Sequence, residues 1–397
     1  MKELLLSLLK DARLGQPSQP QQTDFVQLYR MSVQHEVSAL IYNQIYHFPD
    51  LPPELKQGWS REAIRVNALQ TMRTARFLQL YQQLTEQGVT CLVVKGIVLR
   101  ALYPQPDSRP SNDEDVYVPQ SQFEQASATF LQNGMAKVSE SKDVTTFVDP
   151  HCGLSIELHV ALFNEENKAY GRYQTLFKEA FTHPATHVIQ GVKVQSLDYD
   201  LHFLFLMTHL AKHFLVSGVG IRQVLDIVMY AEAYGSDIHW QMVYDALEEI
   251  GLLTLTQNVF SIGHTYLGFD YHKITLCHGW NGKADHEALL DDILDAGVYG
   301  KSTQARLHSS AFTIQAVEQS GKSKAGTLLQ MAFLPLRELR ERSGYTYLKE
   351  KPWLLPYAQA HRIWNYLTHR ETSGQEKKTV EVGTQRVELL KKYGMIR

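Results

Sequence analysis

The stretch that most constrains the fold is residues 89–118, VTCLVVKGIVLRALYPQPDSRPSNDEDVYV. It begins with an apolar run, Val89–Val94, which ends abruptly at a Lys-Gly pair and is followed by a short helical segment and a Pro-rich loop. A second strand-type run then starts with Asp113 and Asp115. Side chains alternate between the two faces of a strand, so we expect these two acids to project from the same face.

A third acid is expected to complete the group. Two carboxylates held this close repel each other, and a divalent cation with oxygen ligands is their usual stabiliser. The later strand-type run of residues 153–160, GLSIELHV, places Glu157 and His159 on its polar face. The sequence therefore predicts that Asp113, Asp115 and Glu157 together hold Mg²⁺ or Mn²⁺. The alternative stays open that acids at the head of a strand are turn residues facing solvent, and that Glu157 is a plain surface position.

Length and composition limit the class of protein. A chain of 397 residues exceeds one ordinary core, and 44% hydrophobic with 20% charged residues is typical of a folded globular protein. The net charge of −3 gives no overall attraction to nucleic acid. Three widely spaced cysteines are typical of reduced thiols, and no apolar run approaches the ~20 residues that a membrane span needs. We therefore expect a cytoplasmic protein that binds neither membranes nor nucleic acid.

The hydrophobic pattern changes along the chain and divides it into four predicted regions. These are an N-terminal helical region (1–86), a region of alternating strands and helices (87–198), a C-terminal helical domain (199–370) and a polar tail with a terminal helix (371–397). The predicted fold class is α+β, a mixed β-sheet with helices, flanked by N- and C-terminal helical regions.

The order of these motifs resembles the nucleotidyltransferase superfamily, in which a strand, a glycine turn and a helix precede an Asp-x-Asp strand and a third carboxylate lies on a neighbouring strand. The closer resemblance is to an uncharacterised nucleotidyltransferase-like family of bacterial proteins. The matching residues are Lys95-Gly96, Tyr103-Pro104, Arg109, Asp113, Asp115 and Glu157-Leu158-His159. Residues 349–366 also resemble the C-terminal region of that family.

This resemblance implies a nucleotidyltransferase-like fold and an activity. The protein would move a nucleoside monophosphate from a nucleoside triphosphate to an acceptor, with Mg²⁺ assistance, in-line attack and release of pyrophosphate. Asp113, Asp115 and Glu157 would be the catalytic and metal-binding residues. No residue pattern indicates whether the acceptor is a small molecule or a protein.

A second set of residues is predicted to bind the nucleotide. Lys95 and Gly96 stand where the superfamily usually has Gly-Ser at a helix start, where glycine allows close approach and helix amides suit phosphate oxygens. Lys95 would add a positive charge for the β- or γ-phosphate, and Arg109 would clamp a phosphate with two hydrogen bonds. His159 and Lys212 complete the set; for His159, support of the carboxylates and a plain polar surface position both stay open.

Three features keep other interpretations open. Glu114, between the two aspartates, replaces an apolar residue of the family, and Gly-Ser is missing; both favour a non-catalytic nucleotide-binding or interaction protein that retains the fold. His209 and His213 lie one helical turn apart, a spacing that suits a metal. In a mostly apolar helix the same spacing suits buried structural histidines, so the role of this pair stays undecided.

Overall fold

The structure is a computed structural model that describes residues 1–20, 22–216, 218–276, 280, 284–297, 346–349, 351–359 and 383–395. It divides into two compact units, Met1–Phe214 with Gly218–Ser302, and Leu215–Ser217 with Thr303–Arg397. The predicted α+β class is confirmed, because a small mixed sheet lies among many helices. The four-region division stays a prediction, and most of residues 298–382 lie outside the described residues.

The first unit begins with four helices: α1 (Lys2–Leu14), α2 (Phe25–Gln34), α3 (Ser38–Ile45) and α4 (Pro53–Glu86). Helix α4 is 34 residues long and carries Pro53 in its first turn, where the missing N–H costs nothing. Its C-terminal part buries Phe77, Tyr81 and Leu84 against the sheet that follows. The sheet is therefore built on the second half of one long helix.

The main sheet has five strands: β1 (Leu92–Val93), β2 (Asp113–Tyr117), β3 (Ala136–Glu140), β4 (Val144–Val148) and β5 (Ser155–His159). Their order is β1-β2-β5-β4-β3; β2 and β5 run parallel, and the other neighbours are antiparallel. Helix α5 (Gly96–Arg100) joins β1 to β2, and α6 (Phe123–Gln132) joins β2 to β3. Strands β6 (Ala185–Ile189) and β7 (Val192–Ser196) form a separate hairpin.

One face of the main sheet is apolar and the other is polar. Val116, Phe147, Ile156 and Leu158 are fully buried and pack in one core with α4 and α6. Because side chains alternate along each strand, the residues between them point to the opposite face. The strand pattern therefore gathers the polar side chains of β5 and the two aspartates of β2 on the face away from α4, whereas Glu114 of β2 points toward α4.

Five further helices follow in the chain: α7 (Tyr199–Val216), α8 (Ile221–Tyr234), α9 (Trp240–Glu249), α10 (Leu253–Leu267) and α11 (Glu287–Ala296). In the second unit, short helical turns at Thr346–Lys349 and Pro352–Leu354 pack through Leu348, and residues 383–392 form a helix. None of the helices in the described part of the chain combines the length and the apolar character that crossing a membrane requires.

Candidate active site

The parallel pairing of β2 with β5 brings distant polar residues together. Asp115 pairs in register with Glu157, and Tyr117 with His159. His159 Nε2 lies 3.0 Å from Asp115 Oδ1 and 3.4 Å from Glu157 Oε2. One ligand atom from each of Asp115, Glu157 and His159 lies within 4.8 Å of the other two, so these side chains form a group that can hold a metal ion.

Lys95 connects Asp113 to this group. Its Nζ lies 2.9 Å from Asp115 Oδ2 and 3.7 Å from Asp113 Oδ1. Asp113 is not one of the three clustered ligands, which are Asp115, Glu157 and His159. The structure thus puts all three predicted carboxylates on one face of the sheet, with Asp113 at the edge of the group and 24% of its side chain exposed.

The charges of this group shift one another's pKa values. Burial raises the pKa of Asp113, and the carboxylates of Asp115 and Glu157 raise it further against the opposing effect of Lys95. Burial also disfavours the charged form of Asp115, but Lys95 and His159 outweigh it and lower the pKa of that carboxyl. Burial lowers the pKa of His159, whereas its hydrogen bonds to Asp115 and Glu157 outweigh this and raise it to about 9. His159 is therefore positively charged at neutral pH.

Helix α7 brings further basic side chains within electrostatic range of the carboxylates. Burial and the charge of Lys95 lower the pKa of Lys212, while Asp115, Glu157 and Asp113 act in the opposite direction. The Lys212 ammonium lies 5.6 Å from the centre of the Tyr170 ring, a distance that suits a cation–π contact. Lys212 is thus near the group, as the nucleotide-binding prediction requires, and its role stays a prediction.

His209 and His213 lie on the same helix and contact each other, with 3.1 Å between their Nε2 atoms. Burial lowers the pKa of His213 to about 3, and Lys95 and Lys212 lower it further. Burial likewise lowers the pKa of His209 well below its ordinary range. Both rings are therefore neutral at pH 7. Within the described residues, neither belongs to the three-ligand group.

Gly96 approaches a carboxylate. The N–H of Ile97 donates to Glu114 Oε2 at 2.7 Å, and a Cβ on Gly96 would lie 1.9 Å from the same oxygen. The close approach that glycine permits is thus to Glu114, and one of the helix amides at this turn, that of Ile97, already has an acceptor. Helix α5 is only five residues long.

The partner of Glu114 is Arg100, which the sequence analysis did not single out. Arg100 Nη2 donates to Glu114 Oε1 at 2.9 Å, and the side chains of this pair are 2% and 3% exposed. The available signal was the alternation along β2, which turns Glu114 toward the apolar core, where a charge needs a partner.

Arg109 lies elsewhere. Its Nε and Nη2 donate to the two carboxylate oxygens of Asp226, both at 2.7 Å, and the Tyr103 hydroxyl donates to the same carboxylate at 2.7 Å. The Arg109 side chain is 4% exposed, and none of its hydrogen bonds or ion pairs reaches Asp113, Asp115 or Glu157. The predicted phosphate clamp is thus an internal ion pair in this structure.

A family model described as uncharacterised nucleotidyltransferase matches residues 21–268, which is more than half of the chain. The chain belongs to this nucleotidyltransferase family. The resemblance of the motifs is thereby confirmed. No curated protein and no solved structure gives a significant match.

The range that the family model matches includes every residue of the group described above, from Lys95 to Lys212. It ends before residues 349–366, so the resemblance of that stretch stays a prediction. The cytoplasmic location and the exclusion of nucleic acid as a partner also stay predictions.

Proposed function

We propose that this protein moves a nucleoside monophosphate from a nucleoside triphosphate to an acceptor and releases pyrophosphate. The observation that carries the proposal is the convergence of Asp113, Asp115 and Glu157 on one face of two paired strands, with Lys95 in contact with the first two. Family membership gives the class of reaction. Carboxylates beside lysines match the chemistry of a metal-bound triphosphate.

The residues present fit a divalent cation. Asp115 and Glu157 offer carboxylate oxygens, the ligands that Mg²⁺ and Mn²⁺ prefer, and the imidazole of His159, in the same 4.8 Å group, would ligate only after losing its proton. Asp113, on the same face, supplies a further oxygen at the edge. A bound cation would neutralise phosphate charge and orient the triphosphate.

The other side chains of the site bind phosphate oxygens or hold the carboxylates in place. Lys95 and Lys212 provide positive charge for phosphate oxygens as pyrophosphate leaves. His159 holds Asp115 and Glu157 through hydrogen bonds to both and so fixes the distance between their carboxylates. The acceptor hydroxyl or amine attacks the α-phosphorus and gives up its proton to the Glu157 carboxylate, while the bond from the α-phosphorus to the oxygen of the leaving pyrophosphate breaks. Rate enhancement then comes from positioning and charge neutralisation. Arg109 is left out of the proposed site because Asp226 already neutralises it.

Calorimetric titration with ATP, GTP, CTP and UTP, each with Mg²⁺ or Mn²⁺, tests nucleotide binding directly. A pyrophosphate-release assay with hydroxyl- and amine-bearing acceptors then tests transfer. We expect binding that EDTA abolishes and that Asp115→Asn weakens, with no change for the matched surface variant Glu166→Gln. Absence of binding for all four triphosphates would overturn the proposal.

One observation favours the second candidate, a nucleotide-binding or interaction protein without turnover. Asp115 is already paired with Lys95 at 2.9 Å and with His159 at 3.0 Å, so the charges of the group largely cancel. Nucleotide binding without pyrophosphate release, with every acceptor tested, would favour this candidate over the transferase.

A further inference from the structure

Glu114 lies between the two aspartates but points to the other face of β2. Its side chain is 3% exposed, and its neighbours on that face, Val116 and Ile156, belong to the apolar core. A carboxylate in such surroundings persists only with charged and hydrogen-bonding partners. Glu114 has both: Oε1 accepts from Arg100 and Oε2 accepts from the Ile97 N–H.

Arg100 is itself fixed from the long helix α4. Its Nη1 donates to Gln70 Oε1 at 2.8 Å, and its Nη2 donates to Thr74 Oγ1 at 3.1 Å as well as to Glu114. A chain of buried hydrogen bonds thus runs from α4 through Arg100 and Glu114 to the backbone of Ile97. Each member is held by its neighbour, so the position of the Ile97 amide is set by the core of the protein.

This chain of bonds ends at a turn with an unusual backbone. Lys95 has φ 105° and Gly96 has φ 45°. Positive φ is rare for a residue with a side chain and persists where the surroundings enforce it. At this turn the Ile97 hydrogen bond draws the backbone onto Glu114 so closely that Gly96 has no room for a Cβ.

We propose that Glu114 is a positioning residue that acts through Lys95. By anchoring the Gly96–Ile97 backbone on the inner face of β2, it directs the Lys95 ammonium to Asp113 and Asp115 on the outer face. The catalytic part of this inference rests on the proposed function; the placement of Lys95 does not. The glutamate inside Asp-x-Asp is then part of the site, and its presence there does not mark a lost activity.

The placement matters because lysine is long and flexible. A free lysine side chain samples many rotamers, and each must be given up to hold the ammonium at one point. Fixing the backbone directly after Lys95 sets the point and the direction from which this side chain extends before the nucleotide arrives. A small displacement of such a charge can cost up to about 10²-fold in rate.

A double-mutant cycle on kcat tests the coupling. Glu114→Gln leaves a single oxygen, which the charged Arg100 takes, so that the amide NH2 faces the Ile97 N–H and the anchor is lost. We expect it to lower kcat about tenfold or more in the wild-type background and to have no further effect in Lys95→Ala, because the route of its action is then gone. Equal losses in both backgrounds would overturn the proposal.

Asp149→Asn is the matched control for a general loss of stability. Asp149 is also a buried carboxylate, 3% exposed, with an arginine partner, Arg76, at 2.7 Å. We expect this variant to lower the melting temperature while kcat, measured well below that temperature, stays as in the wild type. A fall in kcat like that of Glu114→Gln would show that any broken buried ion pair has the same effect, and would overturn the proposal.

Chemical labelling of lysines, followed by mass spectrometry, tests the placement without any turnover. In Glu114→Gln we expect an amine-acylating reagent to label Lys95 several-fold faster than in the wild type, with the exposed Lys142, which is paired with Glu166, as the internal reference. This result would hold even if no triphosphate is turned over, so failure of the proposed function and failure of this inference are distinguishable. Unchanged Lys95 labelling would overturn the inference. Where Glu114→Gln does not fold, Glu114→Met combined with Arg100→Met removes both charges together with the acceptor of the Ile97 N–H, and carries the same test.

Discussion

The two faces of β2 carry negative charge in opposite ways. On the inner face, Glu114 is buried and matched by Arg100 and a backbone amide. On the outer face, Asp113 and Asp115 lie near Glu157 and share Lys95, and burial with like charge raises the pKa of Asp113. The inner carboxylate has Arg100 as a partner of its own, whereas the three outer carboxylates crowd around two shared cationic side chains, Lys95 and His159. Crowded carboxylates are what a divalent cation stabilises, so the outer face is suited to ligand binding and the inner face to holding the strand.

The largest expected effect is on the outer face. Asp115→Asn should lower the rate of pyrophosphate release by about 10³-fold, because the carboxylate lies at the centre of the group, in contact with both Lys95 and His159. Far-UV circular dichroism should show that the variant keeps its fold. Activity within a factor of about two of the wild type would mean that the outer face is not the reacting site.

The next prediction compares the free energies of unfolding of variants at two neighbouring residues, Glu114 and Asp113. Glu114→Gln should lower the free energy of unfolding by about 3 kcal/mol, because it leaves the buried Arg100 charge without its partner. Asp113→Asn should leave that free energy unchanged or increase it, because it removes a carboxylate whose charge is disfavoured by burial and by Asp115. Urea unfolding of the two variants measures both. If Asp113→Asn destabilises the protein more than Glu114→Gln does, the proposed difference between the two faces of β2 is wrong.

A buried group without a charged partner gives a pH-dependent effect. Burial lowers the pKa of His202 from 6.5 to about 3, and neither ring nitrogen has a hydrogen-bond partner in the described part of the chain. The neutral ring therefore stabilises the fold fully above pH 6.5, and this contribution is lost as the pH falls toward 3. At about pH 5 the loss should reach about 2 kcal/mol.

Replacing this histidine sharpens the contrast with the paired charges of β2. His202→Phe should unfold in urea with less dependence on pH between about 4 and 7 than the wild type. His264→Phe is the control for removing an imidazole that has a hydrogen-bond partner, because His264 Nδ1 is hydrogen-bonded to the Phe269 carbonyl. Identical pH profiles for wild type and His202→Phe would show that His202 is not the group that is protonated on unfolding.

The smallest effect concerns the second buried ion pair, Arg109 with Asp226. Tyr103→Phe removes one hydrogen bond to the Asp226 carboxylate and leaves the two from Arg109 in place. We expect a loss of about 1.5 kcal/mol in urea unfolding, the usual contribution of a hydrogen bond to a charged group. A loss as large as that of Glu114→Gln would mean that the hydroxyl, and not the arginine, is the main partner of Asp226.

Part of the site could be predicted from local pattern. The two-residue spacing of Asp113 and Asp115 fixes their common face whatever the rest of the fold does. The alternation around Glu157 likewise fixes its polar face, and the order of the motifs indicated the family that the comparison confirmed. These features depend on residues close together in sequence.

The partners of the charged residues could not be predicted in this way. Arg109 and Asp226 are 117 positions apart, and no local pattern tells that the arginine meets this aspartate and not a phosphate. Lys95 contacts the carboxylates because the turn around it has a positive φ, which Glu114 enforces from the other side of the strand. Such contacts depend on which elements pack together.

The sequence by itself determined which side chains share a face, since the geometry of a strand repeats every two residues. The tertiary structure alone decided which of those side chains meet across strands. The parallel register of β2 with β5 sets Asp115 beside Glu157 and places His159 Nε2 3.0 Å from Asp115 Oδ1. The physical reason is that alternation is a property of the local backbone, whereas the pairing of two strands depends on the core that all the elements bury together.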